Sequence, residues 1–150
     1  MRASEPTSAR LRDLIFKANE ETFRAWNAHD AAAVAAVFAP DAVVVDVLTG
    51  ETITGREAIR ARTASLFEAF PDLSMTRVML LIDAATNADQ WVMRGTHRGL
   101  SLGIPPGGRR FEVRGATFSE FDQAGLVVRD TNYVDVAVLL TQISPVQAEG

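Results

Sequence analysis

The chain has 150 residues, 47% of them hydrophobic, which suits one domain, 1–150, with a substantial buried core. A net charge of -4 argues against nucleic acid or an anionic membrane as its main partner. The absence of cysteine excludes disulfides, a thiol nucleophile and a thiolate metal site.

The opening MRASEPTSAR has no apolar stretch of signal-peptide length, and no uncharged apolar run is long enough to span a bilayer, so a soluble cytoplasmic protein is expected. Residues 1–7 read as a loose tail, and the expected ordered core runs from about 8 to 143. From Ser8 to Asn27, Leu11, Ile15, Ala18, Thr22 and Trp26 recur at helical spacing. Trp26 suits either a pocket wall or the core. Asp30 is placed to cap a short helix over Ala31–Phe38, which Pro40 is expected to stop. Val43, Val44, Val45 and Val47 then favour a strand carrying one acid, Asp46, among its valines. An acid there needs a partner or solvent.

LTGETITG reads as a turn, and Thr54 with Glu57 as a capping box for a helix over Gly55–Phe70, closed by Pro71. Arg56, Arg60 and Arg62 read as its solvated face. Val78–Ile82 is an apolar extended run and Asp83–Asp89 a loop. Gln90–Arg98 alternates, with Trp91, Met93, Gly95 and His97 on one side. After the loop LSLGIPPGG, Arg110–Phe121 and Leu126–Val134 are expected to form a hairpin around Asp122–Gly125. A short helix over Val136–Ile143 follows, with Asp135 as its cap. Helices first and mainly antiparallel strands afterwards define an α+β domain.

Several of these segments carry a resemblance. The long helix followed by N-A-x-D and A-x-F-A-x-D-A-x-x-x-D, up to Asp46, resembles the opening of the nuclear transport factor 2-like superfamily. R-G-T-H-R-G-x-x-x-G-I-P-P-G-G-R, Arg94 to Arg109, and N-Y-V-D-V-A-V-L-L-T-Q-I, Asn132 to Ile143, are similar to the SnoaL-like polyketide cyclase branch. The resemblance covers about residues 20–143. It implies a curved, mostly antiparallel sheet wrapped around the N-terminal helices to form a conical pocket. It also implies acid/base chemistry without metal or cofactor on a small apolar carbonyl compound, by aldol cyclisation or isomerisation.

In those cyclases an aspartate on the last long strand moves the proton. Counted from the Gly125 turn, that position is Asn132, which cannot take a proton at neutral pH. Asp130 lies two residues earlier on the same strand face and could substitute, with Asn132 donating to a substrate oxygen. Asp130 could equally pair with Arg114 or Arg110 across the hairpin. A second position of the family falls near Thr117. Against the related ketosteroid isomerases, the base falls on Asp46, but the tyrosine donor falls near Thr22 and the second acid near Thr117.

His97 is a further proton-transfer candidate, or else a strand-end histidine bonded to a loop. The two histidines are far apart in sequence, so no metal site is expected. The candidate catalytic set is therefore Asp130, Asn132, Asp46 and His97. Trp26, Phe67, Trp91, Met93, Thr117 and Tyr133 are the expected contacts to substrate. Two other functions stay open. One is a non-catalytic binding cone; the other is an epoxide hydrolase-like site built from Arg114, Asp130 and Asp46. The partly apolar outer face of the strands from Gln90 onward, with the pairing usual for the resembled family, implies a homodimer.

Overall fold

The protein is described from a computed structural model covering residues 8–47, 49–101 and 103–145. Helix α1 (Ser8–Asn27) buries Leu11, Ile15 and Asn19, one residue per turn along one face. A bend at His29 leads into α2 (Ala31–Ala36), where the Asp30 carboxylate accepts the Ala33 N–H at 2.9 Å, as expected of a cap. The helix ends at Val37, before Pro40, and β1 (Phe38–Asp46) contains that proline. The β1–β6 ladder shifts between Phe38 and Val43, so the missing N–H of Pro40 falls in an irregular part of the strand.

Among the described residues the sheet has six strands in the order β2-β1-β6-β5-β4-β3, curved and not closed. They are β2 (Thr52–Thr54), β3 (Ser74–Asp83), β4 (Thr86–Thr96), β5 (Arg110–Phe121) and β6 (Val127–Val134), with β1. Every pairing is antiparallel except β1 with β6. Helix α3 (Arg56–Ala69) follows β2, and α4 (Val136–Ile143) follows β6, with the Asp135 carboxylate accepting the Val138 N–H at 3.1 Å.

Three local expectations change. Thr54 cannot cap α3, because it is drawn into the ladder opposite Val43; Gly55, at φ 94°, takes the N-cap position with no side-chain bond. The turn Ala84–Ala85 is all that separates β3 from β4, so residues 86–89 are strand and not loop. Arg56 and Arg62 are not simply solvated: the first donates to the Phe38 carbonyl, and the second reaches Asp46.

Among the described residues, two apolar clusters form the core. One packs Leu11, Ile15, Val34, Phe38, Val44, Ile59 and Phe121. The other packs Phe70, Leu73, Phe111, Val113, Leu139 and Ile143. Trp26 and Phe67 touch both. Each fully buried large side chain contributes roughly 1.5–3 kcal/mol. No helix among the described residues is long and apolar enough to cross a membrane.

Candidate active site

Between the helices and the concave face of the sheet lies a cavity of about 210 Å³. Phe23 and Trp26 of α1, Leu66 and Phe70 at α3, Trp91 and Met93 of β4, and Leu139 of α4 make it largely apolar. Six of its polar groups sit on three adjacent strands. The β4–β5 and β5–β6 registers place Asn87, Ser119 and Asp130 in one row, and Asp89, Thr117 and Asn132 in the next. Strand side chains alternate faces, so all six belong to the concave side, and all six line the cavity.

Hydrogen bonds order this floor. Trp91 and Gly115 are cross-strand partners, and a Cβ on Gly115 would lie 2.3 Å from the indole. With no side chain there, the indole lies over β5 and its Nε1–H donates to Thr117 Oγ1 at 3.0 Å. An indole nitrogen only donates, so the Thr117 hydroxyl proton goes onward to Asn132 Oδ1 at 2.8 Å. Asn132 is thereby turned with its amide NH₂ as the donor end. Beside it, Ser119 Oγ and Asp130 Oδ1 are 2.6 Å apart.

Behind the floor, Asn19 Nδ2 donates to Asp89 Oδ2 at 2.6 Å. Arg77 Nη1 donates to Asn19 Oδ1 at 2.7 Å and pairs with Glu20 at 2.6 Å. At another edge, Arg62 lies 3.4 Å from Asp46 Oδ2 and 3.5 Å from Glu51 Oε2. Burial, opposed by the Ser119 hydrogen bond and reinforced by the charge of Asp89, lifts Asp130 to about 7. Burial also lifts Asp89, to about 6, against the pull of its Asn19 hydrogen bond and the Arg77 charge.

The cavity thus gathers Asp130, Asn132, Asp46, Trp26, Trp91, Met93 and Thr117 from the residues expected in the sequence. Three others lie elsewhere. His97 follows the last residue of β4, is fully buried against Phe70, and does not line the cavity. Phe67 turns toward His29, stacking at 4.7 Å, and meets Trp26 edge-on instead of reaching the open space. Tyr133 has the opposite parity to Asn132 and packs on Phe118 at the outer face, 47% exposed. Arg114 is also on the outer face and exposed, so Arg114, Asp130 and Asp46 form no Asp–Arg–Asp set. Nor does Arg114 pair with Asp130, whose hydrogen-bond partner is Ser119.

Sequence reasoning missed Asp89, Asn87, Ser119, Asn19 and Arg62. Period two carried back from Trp91 lands on Asp89 and Asn87, and the i, i+4 series Leu11, Ile15 lands on Asn19. Those signals were present. Among the described residues no group of three or more His, Asp or Glu side chains is placed to hold a metal ion.

A helix-backed open sheet enclosing an apolar cavity with buried acids defines a ketosteroid isomerase-like cone. The profile of the SnoaL-like polyketide cyclases matches residues 17–143, and the chain belongs to that family. Among solved structures it is similar to a proposed SnoaL-like polyketide cyclase from Jannaschia sp. CCS1, with 21% identity over 96% of both chains and a TM-score of 0.79. IdmH, a proposed polyketide cyclase from Streptomyces antibioticus, is 26% identical over 85% of this chain and 96% of its own, with a TM-score of 0.73. A Catenulispora acidiphila DSM 44928 protein of ketosteroid isomerase-like fold aligns over 89% and 98%, with 21% identity and a TM-score of 0.74. A search of curated proteins returned no match.

Proposed function

We propose that the protein catalyses cofactor-free acid/base chemistry, aldol cyclisation or isomerisation, on a small apolar carbonyl compound held in the cavity. One observation carries this reading: the Trp91–Thr117–Asn132 chain aims an amide donor beside Asp130, a half-buried acid lining the same face of the cavity. Membership of a cyclase family supports it.

In this reading the substrate carbonyl oxygen accepts from the Asn132 amide. The ionised Asp130 carboxylate takes a proton from the adjacent carbon. The C–H electron pair forms the C=C bond of the enolate, the carbonyl π pair moves onto the oxygen, and the Asn132 N–H groups stabilise that oxygen as its charge develops. The enolate carbon then attacks a second carbonyl of the same molecule, or is reprotonated elsewhere, and Asp130 returns the proton. A group that takes and gives a proton near neutrality needs both forms present, and a value of about 7 supplies them.

The test is Asp130→Asn, assayed for turnover of a panel of polycarbonyl compounds, with ligand affinity and melting measured alongside. Turnover should vanish while affinity and melting persist. Ligand binding by the wild type with no turnover of any member would favour a binding cone.

The outer sheet face carries Met79, Leu81, Phe118 and Tyr133, each about half exposed or more. We take it as the face on which two copies pair. Light scattering at micromolar concentration should give the dimer mass for the wild type and the monomer mass for Leu81→Glu; a monomeric wild type would remove this assignment.

A further inference from the structure

We propose that Asp89 is a positioning residue for proton exchange at Asp130: the two carboxyls hold one proton between them, and a chain from Arg77 through Asn19 keeps Asp89 the ionised member. This rests on the reading of Asp130 as the group that exchanges a proton with substrate.

The geometry begins with the sheet. Asp89 on β4 and Asp130 on β6 flank β5 and face the same cavity, one register step apart. Asp89 is only 7% exposed, and its Oδ1 has no hydrogen-bond partner among the described residues. Two ionised carboxylates so placed would repel through a medium that screens poorly.

The hydrogen bonds then decide which acid ionises first. A guanidinium has no acceptor, so Arg77 Nη1 must donate to Asn19 Oδ1, at 2.7 Å. That fixes the amide, and Nδ2 must donate to Asp89 Oδ2, at 2.6 Å. A donor held on a carboxylate favours its charged form. Ser119 donates to Asp130 in turn, but its hydroxyl can rotate to accept, so it does not lock Asp130 in the charged form as the fixed amide locks Asp89.

The remaining charges near the pair are engaged elsewhere. Glu20 of α1 pairs with Arg77. Asp46 of β1 and Arg62 of α3 lie together, with Glu51 on the same guanidinium. The side chains of Asn87, Thr117 and Asn132 are neutral. Burial is the main cause of the upward displacement of Asp130, and the Asp89 charge adds to it, in agreement with this arrangement. The consequence is chemical: Asp89 moves the titration of Asp130 toward neutral pH, where a proton can be both taken and returned.

The experiment needs no substrate. The full chain is labelled with ¹³C at the aspartate carboxyls, and each resonance is followed from pH 3 to pH 9. In the wild type, Asp89 and Asp130 should each show two inflections at shared positions. In Asp89→Asn the Asp130 midpoint should fall by about one pH unit or more. In Asn19→Ala and in Arg77→Met the Asp89 midpoint should rise, a readout that a purely structural role would not move.

An Asp130 midpoint that is raised in the wild type but unmoved in Asp89→Asn overturns the pair and leaves the acid/base reading standing. An Asp130 midpoint in the ordinary carboxylate range overturns the acid/base reading itself. Should Asp89→Asn fail to fold, the wild-type curves decide, since independent single-step curves exclude the pair.

Discussion

The Thr117 hydroxyl, 2.8 Å from Asn132 Oδ1, fixes which end of that amide the cavity sees. Its direction is inherited from Trp91, and Trp91 has its place because residue 115 is glycine. A catalytic feature of the proposed site therefore depends on a residue with no functional group.

The first prediction concerns that threonine. Thr117→Val keeps the shape but removes the hydroxyl, leaving the Trp91 N–H and Asn132 Oδ1 without their shared partner. A loss of about 1–3 kcal/mol in stability is expected for buried groups so abandoned. The turnover rate should fall more than ligand affinity does, because the amide is then free to present its oxygen. Equal losses in both would mean that Asn132 holds the ligand without steering an enolate.

A second prediction follows from Gly115. The Cβ of Gly115→Ala would meet the Trp91 ring at 2.3 and 2.4 Å, so the indole must leave its seat. Overpacking of this kind costs about 1–3 kcal/mol. In a Trp26→Phe background, the fluorescence of Trp91 should shift to the red as it loses its packed position. An unchanged spectrum and melting temperature would contradict the close approach.

Stability should also depend on pH in a particular sense. Asp89 and Asp130 stand at about 6 and about 7 in the folded protein, above the unfolded value of roughly 3.9. Between pH ~4 and ~7 the folded state holds more protons than the unfolded chain, so stability falls as pH rises through that window. The pair contributes on the order of a few kcal/mol to this slope. Asp72, held below its ordinary value chiefly by the Thr96 hydroxyl, acts oppositely but at lower pH. Urea unfolding should therefore show the wild type more stable at pH 5 than at pH 8, and the double variant Asp89→Asn, Asp130→Asn should lose most of that difference. A wild type equally stable at both would contradict the burial of these acids.

His97 provides a test of packing alone. It is fully buried, and neither ring nitrogen has a hydrogen-bond partner among the described residues. Leucine at this position removes two unpaired polar atoms at similar volume, so His97→Leu should melt within a few degrees of the wild type or above it. A large loss of turnover at unchanged stability would return His97 to the catalytic set.

Much of the fold was legible because its signals are local. The Ser8–Asn27 and Val136–Ile143 helices, the Asp30 and Asp135 caps and the turn before Gly125 follow from spacing and side-chain chemistry close along the chain. The site was less legible. DAATNADQ has the composition of a loop, and only a cavity on the inner face of the sheet lets Asn87 and Asp89 sit in a strand. Thr54 has the spacing of a capping residue, and its loss to the β1–β2 ladder is a tertiary effect. Parity places Tyr133 opposite to Asn132, a rule readable in advance, whereas the inward turn of Arg62 toward Asp46 depends on where α3 packs.

The proposed function turns on whether Asp130 exchanges a proton with carbon bound in this cavity. The most direct measurement is deuterium wash-in at the activated carbon of a bound polycarbonyl ligand in D₂O, followed by NMR across pH for wild type and Asp130→Asn. Enzyme-dependent exchange should rise with an apparent midpoint near 7, the value to which burial lifts Asp130, and should be absent in Asp130→Asn. Wild-type exchange that survives the substitution, at an unshifted pH profile, would contradict this role of Asp130.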